Sequence, residues 1–289
     1  MTVLVVGGYG ASFYKTTEIV PKSISCSNSP LPHLPYKIDD QPSLIQTQID
    51  EILLCGGFRN EKKCLELKNN TWQEHSSLKY KRTFASAVSM PGGVYVFGGD
   101  GEGHKTWEWM ESGTKEWQSG KTSIPGGFDR GCAVKINENE IVLIGSPGHE
   151  KRVLKFNTLT QDFENLGEEI LKQKRWGHAC TRVQDDIIIT GGRYSSSTEI
   201  ININDLTTTT LGTNLRQPRY FHGLVYNDPI LLAVGGTYRE DVLGSTYFLD
   251  SIEKWNPSTK TWTMMSEKLH EQKSSFGILS MPKHLLCST

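Results

Sequence analysis

No long apolar run, no excess of charge and no metal-type cysteine spacing occurs in this sequence, and each shortage removes a class of protein. A helix that crosses a bilayer needs about 18 consecutive apolar residues or more, and no stretch here approaches that, so no membrane insertion is expected. Lys and Arg number 31 against 32 Asp and Glu, a formal net charge of -1. Such a balance gives no bulk attraction for nucleic acid or for an anionic membrane. Six cysteines in 289 residues are too few for a small disulfide scaffold. No Cys-x-x-Cys pair exists to begin a zinc ribbon or a thioredoxin-type site. The N-terminus, Met1-Thr-Val-Leu-Val-Val-Gly-Gly, lacks a positive n-region, and its apolar part is short for a signal peptide. It reads as a strand, which favours a cytoplasmic setting, with secretion the alternative if the N-terminus is incomplete.

Catalytic signals are equally scarce. His270-Glu271 has no second histidine four residues on, so the zinc-protease pattern fails. Gly98-Gly-Asp-Gly-Glu-Gly103 is glycine-rich and acidic but lacks the lysine of a phosphate-binding loop, and reads as a flexible loop after a strand. The eight histidines are scattered; His178 and His222 read as satisfied structural residues. No metal, cofactor or catalytic residue is expected. Cys55 and Cys64 flank Gly-Gly-Phe-Arg-Asn-Glu-Lys-Lys, and a hairpin turning between Arg59 and Asn60 would set them opposite each other, within disulfide range. A bridge or two reduced thiols both remain open. The sequon Asn69-Asn70-Thr71 is weak support for secretion.

What the sequence has is a repeat. An apolar run ending in a small-residue pair recurs at Gly7-Gly8, Gly56-Gly57, Gly98-Gly99, Gly145-Ser146, Gly191-Gly192 and Gly235-Gly236. Each copy follows a segment that opens with a basic residue and runs into small and apolar ones, such as Arg82-Thr-Phe-Ala-Ser-Ala-Val or Arg219-Tyr-Phe-His-Gly-Leu-Val. After the pair come a third strand and a short outer strand carrying an aromatic: Trp72, Trp117, Phe163, Trp262. Met110 and Trp117, Phe156 and Phe163, and Trp255 and Trp262 have one spacing, which sets bulky groups on facing strands of one hairpin. In blade five Asn204 and Leu211 stand where the aromatics would be. Turns such as Asn256-Pro-Ser-Thr-Lys suit tight hairpins. The segment from Leu166 to Lys172 reads as a connector with scope for a helical turn.

Four short strands per repeat with no helical period predict an all-β, six-bladed β-propeller of four-stranded antiparallel blades. One domain covers 1–289, with blades near 1–30 plus 273–282, 40–78, 80–122, 126–168, 173–213 and 216–267. The N-terminus enters on a glycine-paired strand, so blade one lacks an innermost strand. Lys273-Ser-Ser-Phe-Gly-Ile-Leu-Ser-Met-Pro matches innermost strands elsewhere, and would close the ring and remove its open edges.

The glycine pair after an apolar strand, with the spaced aromatic pair behind it, resembles the kelch repeat over essentially the whole chain. That resemblance implies a propeller that binds proteins through its loops, as a monomer and without catalysis. Sixteen residues before the first glycine stand Arg82, Arg175 and Arg219; Arg130 is fifteen before Gly145, Lys273 holds the place in the closing strand, and Asp40 holds it in blade two. Symmetry predicts a broken ring of these at one mouth of the channel, suited to a carboxylate or phosphate on a partner, or else bonded to backbone carbonyls between blades. Similarly placed arginines in kelch adaptors of the ubiquitin system grip acidic motifs, which the resemblance implies here. The longest loop, Thr237 to Phe248, offers Tyr238 and Arg239 for selectivity. Two rival readings are a copper enzyme of the galactose-oxidase kind and a secreted or surface recognition propeller.

Overall fold

Each apolar run that ends in the small-residue pair forms a strand buried on both faces, and the reason lies in where those faces point. The fold comes from a computed structural model that describes residues 2–281 except 12–13, 21–30, 39, 48–50, 58, 60, 211 and 240–243. Blade one has β25 (Gly277–Met281) at the axis, then β1 (Thr2–Val6) and β2 (Thr17–Val20). Blade two runs outward as β3 (Ser43–Gln46), β4 (Ile52–Cys55), β5 (Cys64–Lys68) and β6 (Thr71–His75). Blade three is β7 (Ser86–Met90), β8 (Gly93–Phe97), β9 (Trp107–Glu111) and β10 (Trp117–Ser119). Blade four is β11 (Cys132–Lys135), β12 (Glu140–Ile144), β13 (Val153–Asn157) and β14 (Phe163–Gly167). Blade five is β15 (Ala179–Val183), β16 (Asp186–Thr190), β17 (Thr198–Asn202) and β18 (Thr208–Thr210). Blade six is β19 (Gly223–Asn227), β20 (Ile230–Val234), β23 (Ser251–Asn256) and β24 (Thr261–Lys268), with a separate hairpin of β21 (Thr237–Arg239) and β22 (Thr246–Phe248).

Side chains alternate along a strand, so one strand feeds two cores. On β8, Val94 and Val96 pack toward Leu53 and Cys55 of blade two. Tyr95 and Phe97 pack the other way, against Ile141, Leu143 and Phe156 of blade four. The remaining seams have matching clusters, including Ile144 with Ile187 and Ile189, and Val5 with Val234. An unbroken apolar run is what such a two-sided strand requires. Each of these side chains contributes about 1.5–3 kcal/mol on burial.

The ring closes as the sequence predicts. β25 pairs antiparallel with β1 from Thr2↔Met281 to Val6↔Gly277, and the innermost strands touch in cyclic order β25, β3, β7, β11, β15, β19 and back to β25. Met110↔Trp117, Phe156↔Phe163 and Trp255↔Trp262 stand directly opposite in their hairpins. Hairpin turns use side-chain chemistry: Asn256 Oδ1 accepts from the N–H of Ser258 (2.9 Å) and Thr259 (3.2 Å), and Asn157 does the same for Leu159 and Thr160 in the outer hairpin of blade four. Two local expectations fail. In blade five the facing pair is Ile201↔Thr208; Asn204 lies in the turn and Leu211 is outside the described residues. Leu166 continues β14, and no helical turn follows it. Among the described residues no helix is long and apolar enough to cross a membrane.

Candidate binding face at the plugged mouth

Where the chain enters each innermost strand, every blade has a residue in a left-handed conformation: Gln41 (with Asp40 before it), Phe84, Arg130, Gly177, Phe221 and Ser275, with φ between 49° and 63°. All but Gly177 carry a Cβ, a conformation that costs on the order of 1–3 kcal/mol and persists only where its surroundings demand it. The demand is a collar of backbone hydrogen bonds between blades. Phe84 N donates to Asp40 O, Arg130 N to Phe84 O, Gly177 N to Arg130 O, Phe221 N to Gly177 O, Ser275 N to Phe221 O and Gln41 N to Ser275 O, all between 2.6 and 3.1 Å. Phe84 and Phe221 come from opposite blades and meet over the axis with ring centroids 5.0 Å apart. They plug this mouth.

Beneath the plug lies a cavity of 180 Å³, walled by Gln41, Ser86, Cys132, His178, Cys180 and His222 among others. A second cavity of 350 Å³, bounded by Ala87, Ser89, Lys135, Cys180, Thr181 and Arg182, continues to the opposite mouth. The axial channel is therefore stoppered on the loop face and open on the other.

Around the plug the two halves of the face differ. On blade five, Arg193 N donates to Trp176 O at 3.1 Å, which brings the loop after β16 onto the entry to β15. The Arg193 guanidinium lies 5.0 Å from the Trp176 ring and 4.8 Å from the Tyr194 ring. Arg193 is exposed, and Tyr194 is 42% exposed. Among the described residues no carboxylate pairs with Arg193. Trp176 continues the aromatic surface to Tyr220 and Phe221. Tyr220 bridges to Thr237 at the base of the β21–β22 hairpin, where Tyr238 stacks on Tyr247 at 5.0 Å. Exposed Lys172 and Lys174 precede Trp176. In the other half, Arg130 is already committed. It lies 4.4 Å over the Phe84 ring, pairs with Asp129, and reaches Asp100 at 2.8 Å. The hydrogen bond from Arg130 holds the Asp100 carboxyl below the ordinary carboxylate range, whereas burial raises that of Asp40 nearby.

Comparison with known proteins finds a known motif in one blade of this ring. A model of the kelch motif matches residues 218–269, the stretch from the entry of blade six through its outermost strand. The chain is a β-propeller that carries a kelch motif in its sixth blade. No curated protein sequence matches it. The solved structure of YjhT resembles it with a TM-score of 0.71 at 14% identity, covering 83% of this chain and 87% of that one. That likeness is one of fold.

Within these blades the basic residue before the innermost strand turns inward. Arg82, Arg175 and Arg219 are at most 1% exposed, and each meets a glutamate of 0% exposure on the third strand: Glu108, Glu199 and Glu253, at 2.9, 2.8 and 3.0 Å. Each glutamate also accepts two backbone N–H groups from the residues just before its arginine, as Glu253 does from Arg216 and Gln217. The guanidinium donates in turn to backbone carbonyls, as Arg219 does to Gly235 O (2.8 Å) and Ser251 O (2.9 Å). Burial pulls all three guanidinium groups below their ordinary pKa, and the facing glutamate opposes that shift. Blade one repeats the device with Lys273, Thr16 and Glu18. The expected partner-binding ring is thus corrected. Arg82, Arg175 and Arg219 are structural clamps inside their blades, because nothing outside can reach charges buried and paired this completely.

Blades two and four lack the clamp altogether. Ile38 and Phe128, both buried and apolar, stand at the arginine position, where their carbonyls accept from Gly8 N and Gly99 N as the Arg82 carbonyl accepts from Gly57 N, and Leu65 and Leu154 hold the place of the glutamate. In blade four Ser146, which replaces the second glycine, hydrogen-bonds Asp129 instead. That joint replacement is the sequence signal for a pair, and it was readable. Of the remaining candidates, Arg130 is partly exposed but neutralised. Tyr238 and Arg239 are half-buried on β21, with Arg239 Nε donating to Thr246 Oγ1 at 2.7 Å; the tip at 240–243 lies outside the described residues. Gly101–Gly103 forms a short 3-10 turn capped by Asp100 and packed on Arg82, so the acidic loop is ordered. Cys55 and Cys64 stand opposite and are bonded, and a second bridge joins Cys132 to Cys180. Among the described residues no three His, Cys, Asp or Glu side chains converge as a metal site would require.

Proposed function

We propose that this propeller is a non-catalytic protein-interaction module that holds an acidic partner segment on its loop face, with Arg193 as the charged anchor. The supporting observation is the exposed Arg193 guanidinium stacked between Trp176 and Tyr194, with no carboxylate paired to it among the described residues. Aromatic faces hold the guanidinium plane and leave its N–H edge free, the geometry that takes a carboxylate by two parallel hydrogen bonds. Trp and Tyr beside Arg are the residue types that carry most binding energy at protein interfaces. The plug adds to the argument: with the axial route stoppered by Phe84 and Phe221, a ligand on this face rests across the loops. The two disulfides favour an oxidising compartment for the module.

The test is a double variant, Arg193→Ala with Tyr194→Ala, screened on an array of acidic peptides with matched basic controls. Both side chains are exposed, so the melting temperature should stay within a degree or two. Binding of the acidic peptides should fall at least about tenfold, the effect of ~1.4 kcal/mol. Undiminished binding would contradict this reading of the face.

A further inference from the structure

The two disulfides differ in access. Cys55–Cys64 lies in the core between blades two and three, with exposures of 2% and 0%. Cys132–Cys180 instead joins β11 to β15, across the seam between blades four and five at the wall of the axial channel. Both of its residues line the cavity below the plug, and Cys180 also lines the cavity that opens at the far mouth. At 350 Å³ that outer cavity falls within the range of small-molecule sites, roughly 300–1,000 Å³. Lys135 and Arg182 sit at its outer end, where they give the approach a positive potential; each also pairs with a neighbouring carboxylate, which tempers that potential.

The bond is also polarised. His178 Nε2 lies 3.2 Å from Cys132 Sγ, and since a bridged sulfur bears no hydrogen, the ring N–H is the donor. Burial, reinforced by the charge of Arg175, lowers the His178 pKa to about 3, so the donor is neutral. Negative charge developing on Cys132 Sγ would meet that N–H. Among the described contacts Cys180 Sγ has no such donor, and it is the sulfur that faces the open lumen.

We propose that Cys132–Cys180 is a thiol–disulfide exchange site for a small anionic thiol entering through the open mouth. The incoming thiolate attacks Cys180 Sγ, a mixed disulfide forms as the Cys132–Cys180 bond breaks, and the electron pair leaves on Cys132 Sγ. A second thiolate attacks the small molecule's sulfur in the mixed disulfide, which expels the Cys180 thiolate and releases the oxidised dimer of the small thiol. Both protein thiolates then take up protons. Two small thiols are oxidised and one protein disulfide is reduced.

Reduced glutathione is the probe. Folded protein is incubated with it, quenched at intervals with an alkylating reagent and read by peptide mass spectrometry, with circular dichroism monitoring the fold. Cys132 and Cys180 should become labelled at least tenfold faster than Cys55 and Cys64 while the spectrum stays native, and the mixed disulfide should sit on Cys180. Labelling of Cys132 and Cys180 before any thiol is added would show that no bridge exists. Equal rates for the two bridges, or reduction only in denaturant, would overturn the proposal. Cysteamine, a thiol bearing an ammonium group, should react several-fold more slowly; a rate equal to that of glutathione would overturn the anionic preference.

Discussion

A guanidinium removed from water must find its hydrogen bonds within the protein, and Arg219 finds them on Glu253, Gly235 and Ser251. Removing one partner strands the other's buried charge. Glu253→Leu alone should therefore cost about 3–5 kcal/mol in urea denaturation. Combining it with Arg219→Met should lose less than the sum of the two single changes, since the stranded charge is gone; strict additivity would contradict a coupled pair. Blades two and four, which carry leucine at the glutamate position and no arginine, are the protein's own precedent. Histidine adds a pH dependence at this scale. His178 and His222 are fully buried and held neutral, by desolvation first and then by the charge of the arginine three residues before each. Above the unfolded imidazole pKa of about 6.5 neither state binds a proton and stability is at its full value. As pH falls below that, the unfolded chain gains protons that the folded one refuses. Stability should then drop by about 1.4 kcal/mol per pH unit for each histidine, continuing toward pH 3 for His178. Melting temperatures between pH 7 and 4 should show this acid limb, and replacing both histidines by glutamine should flatten it. An unchanged slope would contradict the assignment.

Strands and hairpins were the most legible elements, because their signals are local. The two-sided burial of β8 requires Val94 to Phe97 all to be apolar, and the facing aromatics of β23 and β24 need only a constant spacing. The glycine pair is legible for the same reason. At Gly98 the φ is 64°, and a Cβ would stand 1.9 Å from Phe128 O of the next blade. Gly98→Ala should thus destabilise by at least about 3 kcal/mol, whereas Gly113→Ala, in a turn with open space around it, should cost about 1 kcal/mol. Similar losses in chemical denaturation would contradict the close approach at Gly98. What escaped the sequence depended on direction or on contact between repeats. The spacing of Arg82, Arg175 and Arg219 located them correctly at the blade entrances but could not show that they turn inward. Cys132 and Cys180 occupy different offsets before their glycines, so only the adjacency of β11 and β15 reveals the bridge. Trp176 and Arg193 likewise meet only once two loops of blade five have folded together.

At the scale of the molecule, the ring is closed by two independent devices, the pairing of β25 with β1 and the collar of hydrogen bonds at the loop face. Closure makes the two faces unlike. One is plugged, aromatic and cationic over blades five and six; the other opens into the channel. That asymmetry underlies the proposed binding face, and its residues were only half readable beforehand: repeat geometry located the mouth at which the basic residues enter their strands, but not that Arg82, Arg175 and Arg219 turn inward or that Arg193 stacks on Trp176 and Tyr194. Hydrogen–deuterium exchange of the chain with and without the tightest acidic peptide from the array tests this most directly. Protection is expected in 191–197, 216–222 and 237–239, on the loop face. Protection confined to 136–139, 157–162 and 256–260, on the opposite face, would contradict it.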